Sequence, residues 1–241
     1  METIKNKKEQ NTFSKIMKSI LVFAVVLFTS VMSAQNKEVT FDVYTTSAIK
    51  ASRYLLANDV SLRDCPYINC EKLTTIRIGT NVRLLAKSKT PITINGVTSR
   101  WYKVKMGPQT GWIWGGLISQ KTMVSQMNPE VKFLFGEAGL DHKGNTQFQL
   151  RAVKNGTEID KIVISSQNIN HDTVSLLNNA KETYNADVIN LTDSKTDSTL
   201  VPTEKSYIVF INDTLVKTTS LIAMENEETV CNYAVAYECE N

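Results

Sequence analysis

His142 follows Asp141 in the stretch LDHKGN, and an imidazole beside a carboxylate is the start of a zinc site. Two ligands do not make a site, and the only other histidine, His171, lies in an unrelated polar stretch. The pair reads as solvated loop. A Cys–His nucleophile in the second half of the chain would have to use Cys231 or Cys239, both at its extreme end. There is no G-x-S-x-G elbow and no Gly-rich phosphate loop. Asp193 and Asp197 in TDSKTDST offer carboxylates to calcium, without the glycine and terminal glutamate of an EF-hand loop. These residues point away from catalysis, metals and cofactors.

The four cysteines divide into two pairs. Cys65 and Cys70 flank PYIN, a proline-containing loop that can bring their Cα atoms to bonding distance. Cys231 and Cys239 bound CNYAVAYEC, which has no Gly or Pro and reads as one strand. Eight strand steps separate their Cα atoms by roughly 26 Å, and a disulfide needs less than about 7 Å. Unless the chain bends they are free, bonded elsewhere, or bonded to another chain as in a disulfide-linked dimer.

All three tryptophans fall in WYKVKMGPQTGWIW, as Trp101, Trp112 and Trp114. Neighbours in a strand point to opposite faces. Ile113 is therefore opposed to Trp112 and Trp114, and Val104 to Trp101. With Val104 and Ile113 in a small core, the indoles face outward or line a groove. Some of them then cover the rim of the fold, partly wet. The candidates for ligand contact are Trp101 first, then Tyr67, Tyr102, Trp112 and Trp114.

The elements that must position these residues are short and β-rich. DVSLRD alternates Val60 and Leu62 with polar neighbours, NVRLLAK follows Gly79, and Asn95-Gly96 sits in ITINGVTSRWYKV as a hairpin dipeptide. Strands of about five residues punctuated by turns suggest a small barrel or sandwich over residues 52–120. Residues 121–130, with Pro129 and no periodicity, read as a linker. Residues 131–241 form a second β-rich region, with hairpins predicted at Asn155-Gly156 and Asn212-Asp213 and a short helix starting from Asp172 as N-cap. The expected fold class is all-β with that one short helix.

The first 34 residues read as an export signal. Lysines precede ILVFAVVLFTSVM (residues 20–32), followed by Ser33 and Ala34. This apolar run is short of the roughly 20 residues that span a bilayer, so no stable span is expected after its removal. Cleavage is expected at Ala34–Gln35, and residues 35–51 read as a polar leader. Residues 1–34 hold five lysines and two glutamates, so without them the 27 basic and 24 acidic residues become 22 of each. A near-neutral chain with no basic stripe is not built for nucleic acid. Export places the protein in the periplasm, on the cell surface or outside.

Between residues 54 and 119 the chain resembles the bacterial SH3-like (SH3b) domain. VSLRDCP (60–66) stands where that family has an LNVR-type strand, and IGTNVRLL (78–85) matches its Gly-turn-strand. Trp101, Tyr102, Lys103 and Val104 match its W-Y-K-V. Gly111, Trp112 and Ile113, then Gly115, Gly116 and Leu117, match its G-W-V and small-residue turn. The likeness covers about 65 residues. Two loops depart from it: DCPYINC replaces the usual SGPS, and KSKTPITINGVTS (88–99 with Lys87) is longer and more polar than the usual hairpin. Both lie near where ligands of such domains bind. The resemblance implies a small SH3-like barrel that binds peptidoglycan, especially its peptide stems or bridges, or a cell-envelope partner protein. The expectation is a non-enzymatic binding module. The alternative is a part in cell-wall hydrolysis, with a C-terminal hydrolase domain of unrecognised type.

Overall fold

Asn-Gly and Asn-Asp dipeptides punctuate the chain where it must reverse. Asn95-Gly96, Asn155-Gly156 and Asn212-Asp213 all have both residues at positive φ, between 49° and 78°. That geometry makes two-residue turns whose twist matches the flanking strands. The structure, a computed structural model, describes residues 38–40, 52–165, 169, 171–191 and 206–221. The expectations for the export signal, for Asp193 and Asp197, and for Cys231 and Cys239 fall outside these residues.

The described chain is all-β, with one 3-10 turn and one single-turn helix. The first sheet is built from β1 (Glu38–Thr40), β2 (Ser52–Tyr54), β3 (Val60–Arg63), β4 (Lys72–Ile76), β5 (Asn81–Ser88), β8 (Trp101–Met106) and β9 (Gln109–Trp114). Its path runs β1-β5-β8-β9-β3-β4, with β2 also on β5. Alternation selects the inner face: Val60 and Leu62 of β3, Val82 of β5, Val104 of β8 and Ile113 of β9 are all at most 1 % exposed and share one core. After β9 a 3-10 turn, Gly115–Leu117, brings the chain back, and Ile118 bridges Leu55. Leu56 N–H donates to Leu117 O at 2.9 Å and Ser119 N–H to Tyr54 O at 2.8 Å, closing the sheet on its own start. Between β5 and β8 stands a separate two-stranded hairpin, β6 (Ile92–Ile94) and β7 (Val97–Ser99).

Two four-stranded antiparallel sheets make the second half. One is β10 (Lys121–Val124), β11 (Val131–Leu140), β12 (Thr146–Lys154) and β13 (Thr157–Ser165). The other is β14 (Val174–Leu176), β15 (Asp187–Leu191), β16 (Ser206–Ile211) and β17 (Thr214–Thr218). Their facing side chains form one core, in which Phe133 meets Phe210 edge-on at 5.2 Å and Phe135 stacks on Phe148 at 5.3 Å. Each such ring contributes about 1.5–3 kcal/mol by burial.

Strand β11 serves both halves. Val131, Phe133 and Phe135 point into the core between the two sheets. On its other face Leu134 packs with Leu56, Ile78 and Val153, and Gly136 leaves room for the Leu56 side chain. A strand buried on both faces loses the apolar–polar alternation that a half-buried strand shows.

Two expectations are corrected. Residues 121–130 are not a linker. Lys121–Val124 is a strand of the second half, and the loop after it is tied to β15 through buried Asp187. That carboxylate accepts hydrogen bonds from the Ser125 hydroxyl and, at 2.6 Å, from the Gln126 N–H. The helix, α1 (Ala180–Tyr184), begins eight residues after Asp172, and its N-cap is Asn179 in the left-handed region with no side-chain cap bond. Val174–Leu176 pairs with β15 instead, because its apolar side chains have a sheet to join.

Candidate functional site

The indoles are set by the β8–β9 ladder. Trp101 pairs with Trp114 and Lys103 with Trp112, so all four side chains share one face. Val104 and Ile113 occupy the other face, fully buried in the core. The opposition read from the sequence is present.

The open groove is not. Trp101 is 3 % exposed, Trp112 5 % and Trp114 8 %. The three form a cluster of their own with Val97, and Ile92, Ile94 and Leu117 pack against it. The cover is therefore the β6–β7 hairpin, the segment whose length departs from the SH3b pattern. A hairpin of alternating sequence lays Ile92 and Ile94 on the indoles and leaves Thr93 in solvent, where its hydroxyl is 2.7 Å from that of Thr98.

Local chemistry explains the neighbouring glycines. A Cβ on Gly116 would overlap the six-membered ring of Trp114, and one on Gly115 would overlap Ser99 and the Tyr102 ring. A Cβ on Gly111 would lie 2.7 Å from Leu62 Cγ and 2.8 Å from Arg63 O, so only glycine lets β3 cross β9 there. The base of the hairpin is fixed by Ser88. Its buried hydroxyl accepts from the Trp101 N–H at 3.1 Å, while Arg100 donates to Ser88 O at 3.0 Å.

Two donors in this cluster are unsatisfied. The indole Nε1 atoms of Trp101 and Trp114 are buried and have no hydrogen-bond partner. A buried donor left unpaired costs about 1–3 kcal/mol. Lys103 brings a cation to this face, its Nζ 5.9 Å from the Trp112 ring centroid.

The two tyrosines are elsewhere. Tyr102 is half-buried against the inner core, on the face opposite the indoles. Tyr67 is 37 % exposed in the loop closed by the Cys65–Cys70 disulfide, whose Cα atoms are 5.6 Å apart. Of the five candidates, the three tryptophans are covered, Tyr102 takes the opposite face of β8, and Tyr67 stands exposed in the disulfide loop.

The other groupings of titratable side chains among the described residues lie apart from the indoles in sequence. Asp64, Cys65 and Cys70 come within metal-ligand distance, but both sulfurs are in the disulfide. Asp141 caps its own turn, accepting from the Lys143 and Asn145 N–H groups at 2.8 Å each and from the Asn145 side chain at 3.0 Å. Those bonds hold its carboxyl down at about 2. His171 Nε2 lies 3.4 Å from Asp172, both exposed. Near α1 an open polar depression is lined by Gln126, Asn178, Asn179, Lys181 and Glu182.

What the sequence did not disclose is the cover. Its one signal was the excess length of residues 87–99 with alternating Ile92 and Ile94. Comparison of the chain with protein-family models, with curated proteins and with solved structures gave no match.

Proposed function

We propose that this protein is an exported, non-enzymatic binding module whose first sheet is an SH3-like barrel recognising an extended peptide. That peptide belongs to the cell envelope, as a peptidoglycan stem or bridge or as a segment of a partner protein. The observation that carries the reading is the tryptophan face of β8 and β9, with two indole donors unused. Aromatic faces and N–H donors suit a peptide backbone, which offers flat amides and carbonyl acceptors. The 3-10 turn and the return of Ile118 to Leu55 support the likeness to the SH3b pattern. Export rests on the apolar run of residues 20–32 that follows the lysines.

The test uses the tryptophans as reporters, since all three lie in this sheet. The protein is titrated with purified peptidoglycan fragments while emission is followed, and mixed with intact wall for co-sedimentation. A saturable emission change with co-sedimentation is expected. Absence of both, together with failure to retain any envelope protein, would sink the reading.

A further inference from the structure

The β6–β7 hairpin pairs only with itself among the described residues. No hydrogen bond joins residues 92–98 to the rest of the described chain, and the Thr93–Thr98 hydroxyl contact is internal. What holds the hairpin down is apolar contact with the indoles and the seating of its tip. At the tip, Asn95-Gly96 lies against Gly139 and Leu140 of β11, so close that a Cβ on Gly139 would be 2.8 Å from Asn95 O. An isolated two-stranded hairpin is marginal in water. Without main-chain pairing to either neighbouring sheet, it can open without breaking a strand ladder.

We propose that this hairpin is a gate, and that lifting it exposes a binding face for a single extended peptide carrying bulky apolar side chains at alternate positions. The proposal rests on the reading of the barrel as a binding module. The occupant is inferred from what occupies the face now. Ile92 and Ile94, two residues apart on an extended strand, fill the space over the indoles. A competitor must present the same pattern. It must also supply what the hairpin does not, an acceptor for the Trp101 and Trp114 N–H groups. A lone extended strand keeps main-chain carbonyls available along both edges, one of which can be spent on these donors. Peptidoglycan stems, with their small and charged side chains, fit this pattern less well than a protein segment. The seating of the tip on β11 gives the second half of the chain a part in the gate, because it is what the tip rests on.

The experiment measures binding of a fluorescein-labelled hexapeptide, KTPITI, the sequence of residues 89–94. The full protein is compared with Ile92→Ser/Ile94→Ser, which weakens the seal. A second variant, Thr93→Glu/Thr98→Glu, places like charges on the solvent side and touches no indole. Opening the gate raises the competent fraction, and apparent affinity rises in proportion. A gain of about tenfold or more is expected in each variant that keeps its barrel amide spectrum, with the indole N–H resonances of Trp101 and Trp114 moving on saturation. Equal affinity in wild type and both variants, or a gain with those resonances unmoved, overturns the gate. Purified peptidoglycan fragments run in parallel separate the two readings. If they bind wild type with the indole resonances still, the module reading stands and the gate falls. If neither the peptide nor the fragments bind any of the three proteins the gate falls, and the module reading falls with it when no envelope protein is retained either.

Discussion

Trp101 and Trp114 face each other across the β8–β9 ladder, and neither indole N–H has a partner although both are buried. Pairing them directly is impossible, because an indole nitrogen donates and does not accept. The cluster therefore combines large apolar burial with two unmet polar demands. Stability argues for keeping the rings, and the donors argue for a visitor.

Replacing Trp101 by Ala is expected to damage the fold. A side chain outside the core and open to solvent would tolerate the change, but Trp101 is 3 % exposed and packed under the hairpin. A loss of about 3–5 kcal/mol is expected in denaturant unfolding. Trp101→Phe keeps most of the ring and removes an unpaired donor, so its cost should be clearly smaller. Equal costs for the two would mean that burial of the ring under the hairpin contributes little to stability.

Gly139→Ala should loosen the hairpin tip. Gly139 has φ +108°, and its added Cβ would collide with Asn95 O. Strain of about 1–3 kcal/mol is expected, read as faster hydrogen exchange of the amides in residues 92–99. The core amides of Val104 and Ile113 should hardly change. Uniform acceleration across both would mean that β11 itself is disturbed.

Much of this architecture was legible beforehand. The three hairpin dipeptides announced their turns, and strict alternation announced that Val104 and Ile113 oppose the tryptophans. The pairing of Cys65 with Cys70 was legible from the short proline loop between them. The missed features share one physical cause, burial supplied by residues distant in sequence. Alternation says which face Trp101 takes, and it cannot say that Ile92 and Ile94 will fold back over that face. β11 reads poorly because both its faces are covered. Residues 121–130 looked like a linker because what orders them, Asp187, lies about sixty positions away.

The Cys65–Cys70 disulfide closes a short loop, so its removal should cost only about 2 kcal/mol. A Cys65→Ser/Cys70→Ser protein is expected to stay folded, with a lower Tm that no longer responds to reductant. Complete unfolding of this double variant would show the loop to be needed for folding of the sheet.

Asp141 gives a signature at acid pH. Its carboxyl sits at about 2 instead of 3.8, chiefly through the side-chain and backbone bonds from Asn145. Because the folded value is the lower one, its contribution to stability is complete above about pH 4 and fades as pH falls through about 2. Carboxyl carbon shifts followed by NMR should give a midpoint near 2 for Asp141. In Asn145→Ala that midpoint should move up toward 3.8. An ordinary value in the wild type would mean the turn bonds do not persist in solution.

Asp187 is expected to be the costliest polar position in the described second half. It is fully buried, and it receives the Ser125 hydroxyl and the Gln126 N–H, while the Ser125 oxygen in turn accepts the Asn128 N–H at 2.8 Å. Asp187→Ala strands both donors inside the protein, and hydrogen bonds to a charged group are worth about 1.5–3 kcal/mol each. Ser125→Ala removes one donor and leaves the carboxylate its bond from Gln126, so it should cost less. Asp187→Asn keeps one acceptor but turns an N–H₂ toward the other donor, and should fall between the two. Since Ser125 and Gln126 follow β10, loss of Asp187 should also raise hydrogen exchange in residues 121–126. If exchange there stays at its wild-type level in Asp187→Ala, the strand is ordered by its pairing with β11 alone.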